Sequence, residues 1–380
     1  MRLFAYGSLS VILVFYLTGL GLSDQQVGLL LTLTLAGDTV VSLFLTTQAD
    51  RIGRRRMLIA GALLMAGAGL AFASTRSFLF LVIAATIGVI SPSGNEVGPF
   101  LPIEQAALSE VVPSERRTHV FAWYTLMGTV ATALGTLAAG LVTQKLPRSV
   151  IIVAYAAFGL LLALLFLQLS PRAEAERTSD RPRFGVGASR SVVMRLAGLF
   201  ALDAFGGGFV VQSFAAYWFY LRFGVSPAAL GGIFFGANVL AGFSALAATR
   251  LAARFGLVKT MVYTHLPSNI LLILVPLMPN VGLAITMLLL RFSISQMDVP
   301  TRQSYTMSVV RPEERSAAAG MLGVARTTGA AIAPVFAGLL FANPHLINLP
   351  FFISGVLKIA YDVMLYRAFV TGAGDPIPGD

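Results

Sequence analysis

Arg291, Asp298, Arg302 and Tyr305 stand at i, i+7, i+11 and i+14 inside one apolar stretch. That spacing follows a single face of a helix at about 100° per residue. Asp298 and Arg302, four apart, can meet as an ion pair. Arg291 has no acid nearby in the chain, which points to an anionic group elsewhere in the protein or on a substrate. Glu96 and Asn95 sit in "SPSGNEVGPFLP" (91–102), another largely apolar stretch. A carboxyl group there either takes and releases protons or touches a substrate; the alternative is a satisfied carboxylate that shapes a kink. Asp203 precedes "GGG" (206–208) and an aromatic run from Tyr217 to Tyr220. Glycines predict a bend there, and aromatic rings fit either a ring-bearing ligand or an interfacial anchor. Lys358 and Asp362 are again four apart and read as a structural pair.

These groups are conspicuous because the rest of the chain is so apolar. Of its 380 residues 56% are hydrophobic and only 12% charged, with a mean hydropathy of +0.80; soluble domains carry about 25% charged residues. Ionisable residues inside membrane-grade sequence are costly, so each is a functional candidate. There is no cysteine and there are three histidines, which removes thiol nucleophiles and thiolate metal sites and points away from an imidazole zinc site. Neither a metal nor a cofactor is expected. The net charge of +10 resides in short links between apolar runs, where it sets membrane orientation rather than nucleic-acid binding. The lipid bilayer is the expected surrounding.

About twelve apolar runs are long enough to span a bilayer: roughly 3–20, 27–48, 57–74, 78–110, 119–144, 149–169, 193–221, 228–250, 257–278, 281–309, 317–341 and 348–369. Helices are expected, because backbone groups in lipid must bond within their own segment. Alternate links hold most of the arginines, among them Arg51, Arg54, Arg55 and Arg56, and later Arg311 and Arg315. Those links are expected in the cytoplasm together with both termini. The longest polar stretch, 171–190, reads as a linker between domains 1–170 and 191–380.

The halves repeat one another. "ADRIGRRRML" (49–58) matches "ARFGLVKTM" (253–261), with Gly53 falling on Gly256. At almost the same separation Pro102 falls on Pro300, Gln105 on Gln303 and "AGL" at 139–141 on "AGL" at 337–339. Six spans per copy keep both copies in one orientation, as parallel repeats do around a central transport site.

Within "ADRIGRRRML", Asp50, Arg51, Gly53, Arg54 and Arg55 resemble the cytoplasmic signature of the major facilitator superfamily, between its second and third helices. "LSDQQVGLLLTL" (22–33) and "ARTTGAAIAP" (325–334) are similar to that family too. Thr46 and Gln48 depart from the signature's glycine and leucine, and "LGTLAAG" (134–140) lacks the proline of the family's antiporter motif. The resemblance implies an all-α integral membrane fold of twelve transmembrane helices in two pseudo-symmetric six-helix bundles. It also implies a secondary transporter working by alternating access, a small-molecule substrate, a monomer and no enzyme activity. Proton-coupled efflux of a small amphipathic organic molecule is the leading expectation, with the cell (inner) membrane as its location. Proton-coupled uptake of a sugar, organic acid or other metabolite is the alternative; a receptor or lipid-handling protein on the same scaffold is the alternative of another class. Glu96, Asn95, Asp203, Arg291 and Asp298 are the expected substrate and proton-coupling residues. Two charge pairs are expected between bundles: Asp38 with Arg326, at equal depth, and Glu104 with Arg302, equivalent positions of opposite charge on cavity-lining helices.

Overall fold

The computed structural model describes residues 1–94, 98–112, 114–170, 187, 189–311 and 314–371. Among these the secondary structure is helical: α1 (Arg2–Gly19), α2 (Asp24–Ile52), α3 (Arg54–Ser74), α4 (Phe78–Ile87), α5 (Phe100–Val111), α6 (Ser114–Val142), α7 (Ser149–Leu167), α8 (Arg190–Gly208), α9 (Gln212–Phe223), α10 (Pro227–Phe255), α11 (Leu257–Leu274), α12 (Val281–Phe292), α13 (Asp298–Val309), α14 (Arg315–Phe341) and α15 (Leu349–Tyr366). Ten stretches are long and apolar enough to cross a membrane, α8 and α9 forming one of them, and α4 and α12 are shorter apolar helices. With α4–α5 and α12–α13 each taken as one interrupted crossing, the order matches the expected spans.

The interruptions have local causes. Between α4 and α5, Gly94 and Gly98 adopt φ of 73° and 79°, a region that favours glycine. Pro102 is the third residue of α5, where the amide it lacks would have had no helical partner. Pro300 occupies the same place in α13, and Asp298 in its first turn complements the helix dipole. The repeat seen in the sequence is therefore a repeated break. It corrects the expectation of one continuous face: Arg291 lies in the last turn of α12, while Asp298, Arg302 and Tyr305 lie on α13 beyond turns at 293–297. The second chain match is also a backbone match, because Gly53 and Gly256 both precede a helix at positive φ, 119° and 82°.

Packing divides the chain into two compact units. The first is Met1–Asp180, Val211–Gly236 and Pro334–Ala342; the second is Arg181–Val210, Ala237–Ala333 and Asn343–Asp380. In the first, α1 packs on α6 and α3 on α7. A Cβ at Gly69 would stand 2.9 Å from Ala156, and one at Gly159 would stand 2.6 Å from the Ala66 nitrogen; small residues permit this close approach. A capping box at Ser23 and Gln26 starts α2. In the second unit α15 packs on both α8 and α11, around a core that includes Leu196, Phe200, Met261, Leu322 and Tyr361.

Candidate functional site

A buried charged cluster lies within the second unit. Asp203, on α8, is 5% exposed. Lys358 Nζ on α15 donates to its Oδ1 at 2.6 Å, and Arg302 Nη1 on α13 to its Oδ2 at 3.3 Å. Arg302 also meets Asp298 at 3.1 Å, which is the expected i,i+4 pair. The Arg302 guanidinium lies 5.4 Å from the centre of the Phe200 ring, a cation–π contact that keeps its desolvated charge in company. The glycines after Asp203 do more than bend the helix. A Cβ at Gly206 would come within 3.2 Å of Lys358 Cγ, and one at Gly207 within 3.5 Å of its Nζ. Gly206 keeps the path of the lysine stem clear, whereas a Cβ at Gly207 would reach only ordinary contact distance.

His265, on α11, adds a group that titrates near neutrality by type. Its Nδ1 is 2.8 Å from Asp362 Oδ1, and its Nε2 is 3.7 Å from Asp203 Oδ1. One imidazole thus faces a carboxylate from each side. Asn269 Nδ2 donates to the other Asp362 oxygen at 3.0 Å, and the Tyr361 ring meets the imidazole edge-on at 5.8 Å. The pairing expected from the sequence is corrected here: Lys358 donates to Asp203 and Asp362 accepts from His265 and Asn269, so the two do not serve one another. Neither His265 nor Asn269 is singled out by the sequence alone, although a histidine in mid-span is itself a signal.

The first unit holds the remaining candidates that the structure describes. Glu104 on α5 accepts from both Nη atoms of Arg2, at 2.7 and 3.1 Å, and from the Tyr124 hydroxyl. Arg2 in turn stacks over Phe100, 4.6 Å from the ring centre. Asp38 Oδ1 on α2 accepts from the Gly98 amide at 2.8 Å and from Ser42 at 3.3 Å, so it braces the break between α4 and α5. The expected partners of these two acids, Arg302 and Arg326, belong to the second unit. Glu104 is engaged by Arg2 and Tyr124 within the first unit, and Arg302 by Asp203 and Asp298 within the second. Asn95 and Glu96 lie outside the described residues. Of the signature, Asp50 and Arg51 end α2, Gly53 caps α3, and Arg54 is buried at the start of α3 beside Arg55.

The aromatic run of the seventh span also finds a role in the first unit. Tyr217 donates to Asp24 Oδ1 at 3.0 Å, and Tyr217 and Tyr220 meet Phe15 edge-on at 5.8 and 5.3 Å. Gln212 donates to Ser10 Oγ at 2.7 Å, and the Val335 amide to Thr32 Oγ1 at 2.8 Å. Beside them α2 and α14 touch backbone to backbone: a Cβ at Gly28 would lie 2.6 Å from the Pro334 oxygen and 2.8 Å from Gly338 Cα. Residues 211–236 and 334–342 are thereby fastened to α1 and α2.

A model of the Major Facilitator Superfamily matches residues 1–334. An uncharacterized membrane protein of Saccharomyces cerevisiae, YJR124C, is 30% identical over 412 residues, covering 97% of this chain and 92% of its own. Quinolone resistance protein NorA of Staphylococcus aureus is 27% identical over 112 residues, 30% of this chain and 28% of its own. Among solved structures, a point mutant of the nucleoside transporter NupG superposes with a TM-score of 0.79 at 13% identity, covering 97% of each chain. The signature at 50–55, the repeated broken helices and a family match over most of the length agree: the chain belongs to the Major Facilitator Superfamily of membrane transporters.

Proposed function

We propose that this transporter exports a small amphipathic organic molecule in exchange for protons, alternating access between the two sides of the cell membrane. The observation that carries the reading is His265 held between Asp203 and Asp362, with Lys358 and Arg302 on the same Asp203. Asp203 chooses among three cations, one of which exists only when a proton is bound. A proton arriving at His265, or at Asp203 itself, changes which partners the carboxylate holds. A ligand shifts a two-state equilibrium by as much as it favours one state, and the proton is such a ligand here. Glu96 and Asn95 remain the corresponding candidates of the first half. Export is supported by the resemblance of part of the chain to a quinolone resistance protein. Two pseudo-symmetric halves, 1–170 and 191–380 about a cytoplasmic linker, a monomeric state and cytoplasmic termini belong to the same proposal.

In that orientation the Tyr217–Asp24 and Gly28–Gly338 contacts form the gate on the outer side, and the Glu104–Arg302 pair closes the inner side when the outer gate opens. Uptake of an anionic metabolite is the second reading, favoured by Arg291 and Arg326. The test is transport in proteoliposomes of fixed orientation under an imposed pH gradient. Export in exchange for protons predicts substrate accumulation on the acidic, extracellular-side compartment. It also predicts that His265→Gln uncouples movement from the gradient while substrate exchange continues. Gradient-driven transport at the wild-type level in His265→Gln removes the histidine from the coupling step.

A further inference from the structure

We infer that Arg291 and Arg326 form the binding site for an anionic group of the substrate, a carboxylate, sulfonate or phosphate on an apolar body. This inference rests on the transporter reading and deepens it. In the second unit Lys358 and Arg302 are answered by Asp203 and Asp298, and Asp362 is answered by His265 and Asn269. Arg291 and Arg326 are left over: among the described residues neither side chain makes an ion pair or hydrogen bond. The Nε atom of each is shut away from solvent without a partner, as is Ser295 Oγ, four residues beyond Arg291 in the break between α12 and α13. Both guanidinium groups lie within electrostatic reach of Asp203 and Asp298 without touching them.

Both arginines are partly buried, and a cation in a membrane span without an acid partner is unfavourable unless a counter-charge arrives. A planar guanidinium matches the oxygens of a carboxylate or phosphate. There is also room and an apolar neighbour. A Cβ at Gly320 or Gly323, one and two turns before Arg326 on α14, would meet nothing within 4 Å, and Arg291 lies 5.2 Å from the centre of the Phe292 ring. An anion bound here shares the electrostatic field of Asp203 and Asp298, which links substrate binding to the charged cluster.

The test uses the purified full-length protein at fixed ionic strength. Binding is read from the concentration dependence of the melting temperature with 1-naphthoate, 1-naphthyl phosphate, uncharged 1-naphthamide and 1-naphthylmethylammonium. The two anions should bind and the other two should not. Arg291→Gln and Arg326→Gln should each weaken anion binding about 10- to 100-fold, the loss of one charge-assisted contact, whereas Arg291→Lys and Arg326→Lys should retain part of it. Without ligand, Arg291→Met and Arg326→Met should melt no lower than wild type, while Arg302→Met should melt lower. If the true partner of either arginine is a carboxylate of the first unit, Asp38 or Glu96, the Met variants melt lower and the anions do nothing; that outcome overturns the inference. So does binding of the amide or the amine in preference to the anions, or binding of no probe. Anions that bind but do not exchange across proteoliposomes leave the site standing and defeat the transporter reading instead. Neutral or cationic probes that exchange, with anions inert, do the reverse.

Discussion

Replacing Lys358 by methionine keeps most of the side-chain volume but takes the closest cation from Asp203. At 2.6 Å the lost attraction is about 6 kcal/mol at an effective dielectric constant of about 20. Part of that loss is offset because the lysine no longer has to be desolvated, and breaking one partner of a buried pair costs about 3–5 kcal/mol in practice. Here the lower end applies. Asp203 keeps Arg302 at 3.3 Å and has His265 at 3.7 Å, although Arg302 divides its charge with Asp298 at 3.1 Å. At about 2–4 °C per kcal/mol for a unit of this size, Lys358→Met should lower the melting temperature by about 6–12 °C. The double variant Asp203→Asn/Lys358→Met should regain at least half of that, because it removes the acid that has lost its closest cation while Arg302 keeps Asp298. Differential scanning fluorimetry of purified protein measures both. A single variant within about 2 °C of wild type, or a double variant less stable than Lys358→Met, refutes the reasoning that this pair is held against a desolvation cost.

Two further outcomes concern the first unit. Tyr217→Phe removes a hydrogen bond to a carboxylate worth about 1.5–3 kcal/mol, so it should raise the labelling rate of a single cysteine introduced near Asp24; an unchanged rate means the Tyr217–Asp24 contact holds nothing closed. Gly28→Val places side-chain atoms where Pro334 and Gly338 backbone now lie, and labelling at the same position should reach the level of a permanently open gate. The chain lacks cysteine, so each engineered cysteine is the only thiol present.

Most of the fold was legible because membrane helices announce themselves through length and hydropathy, and because prolines interrupt helices: Pro92, Pro99 and Pro102 lie in or beside the break between α4 and α5. The same argument applied to Pro300, yet regular charge spacing from Arg291 to Tyr305 suggested one uninterrupted face. Local periodicity masked a local breaker. The site was legible in its members more than in its pairings. Asp298 and Arg302 meet as their spacing implies, because both lie on one helix. Lys358 and Asp362 have the same spacing but look to α8 and α11, and those partners are 155 and 97 residues away in the chain. Only tertiary packing brings Asp203, His265 and Lys358 together. The part played by Gly206, making space for a lysine from another helix, has no expression in sequence beyond the glycine itself.

The paired glycines at 53 and 256 also say something about how this chain came to be. An L-residue in their conformations costs about 1–3 kcal/mol, so any copy of the ancestral half that lost the glycine was handicapped. Around them the two copies have drifted: Asp50 and Arg54 in the first correspond to Ala253 and Leu257 in the second. The tight reversal between adjacent helices is what both copies keep, while the charge around it differs between them. By the same logic Pro102 and Pro300 keep one break in both copies, while the equivalent positions beside them, Glu104 and Arg302, carry opposite charges and so hold different partners.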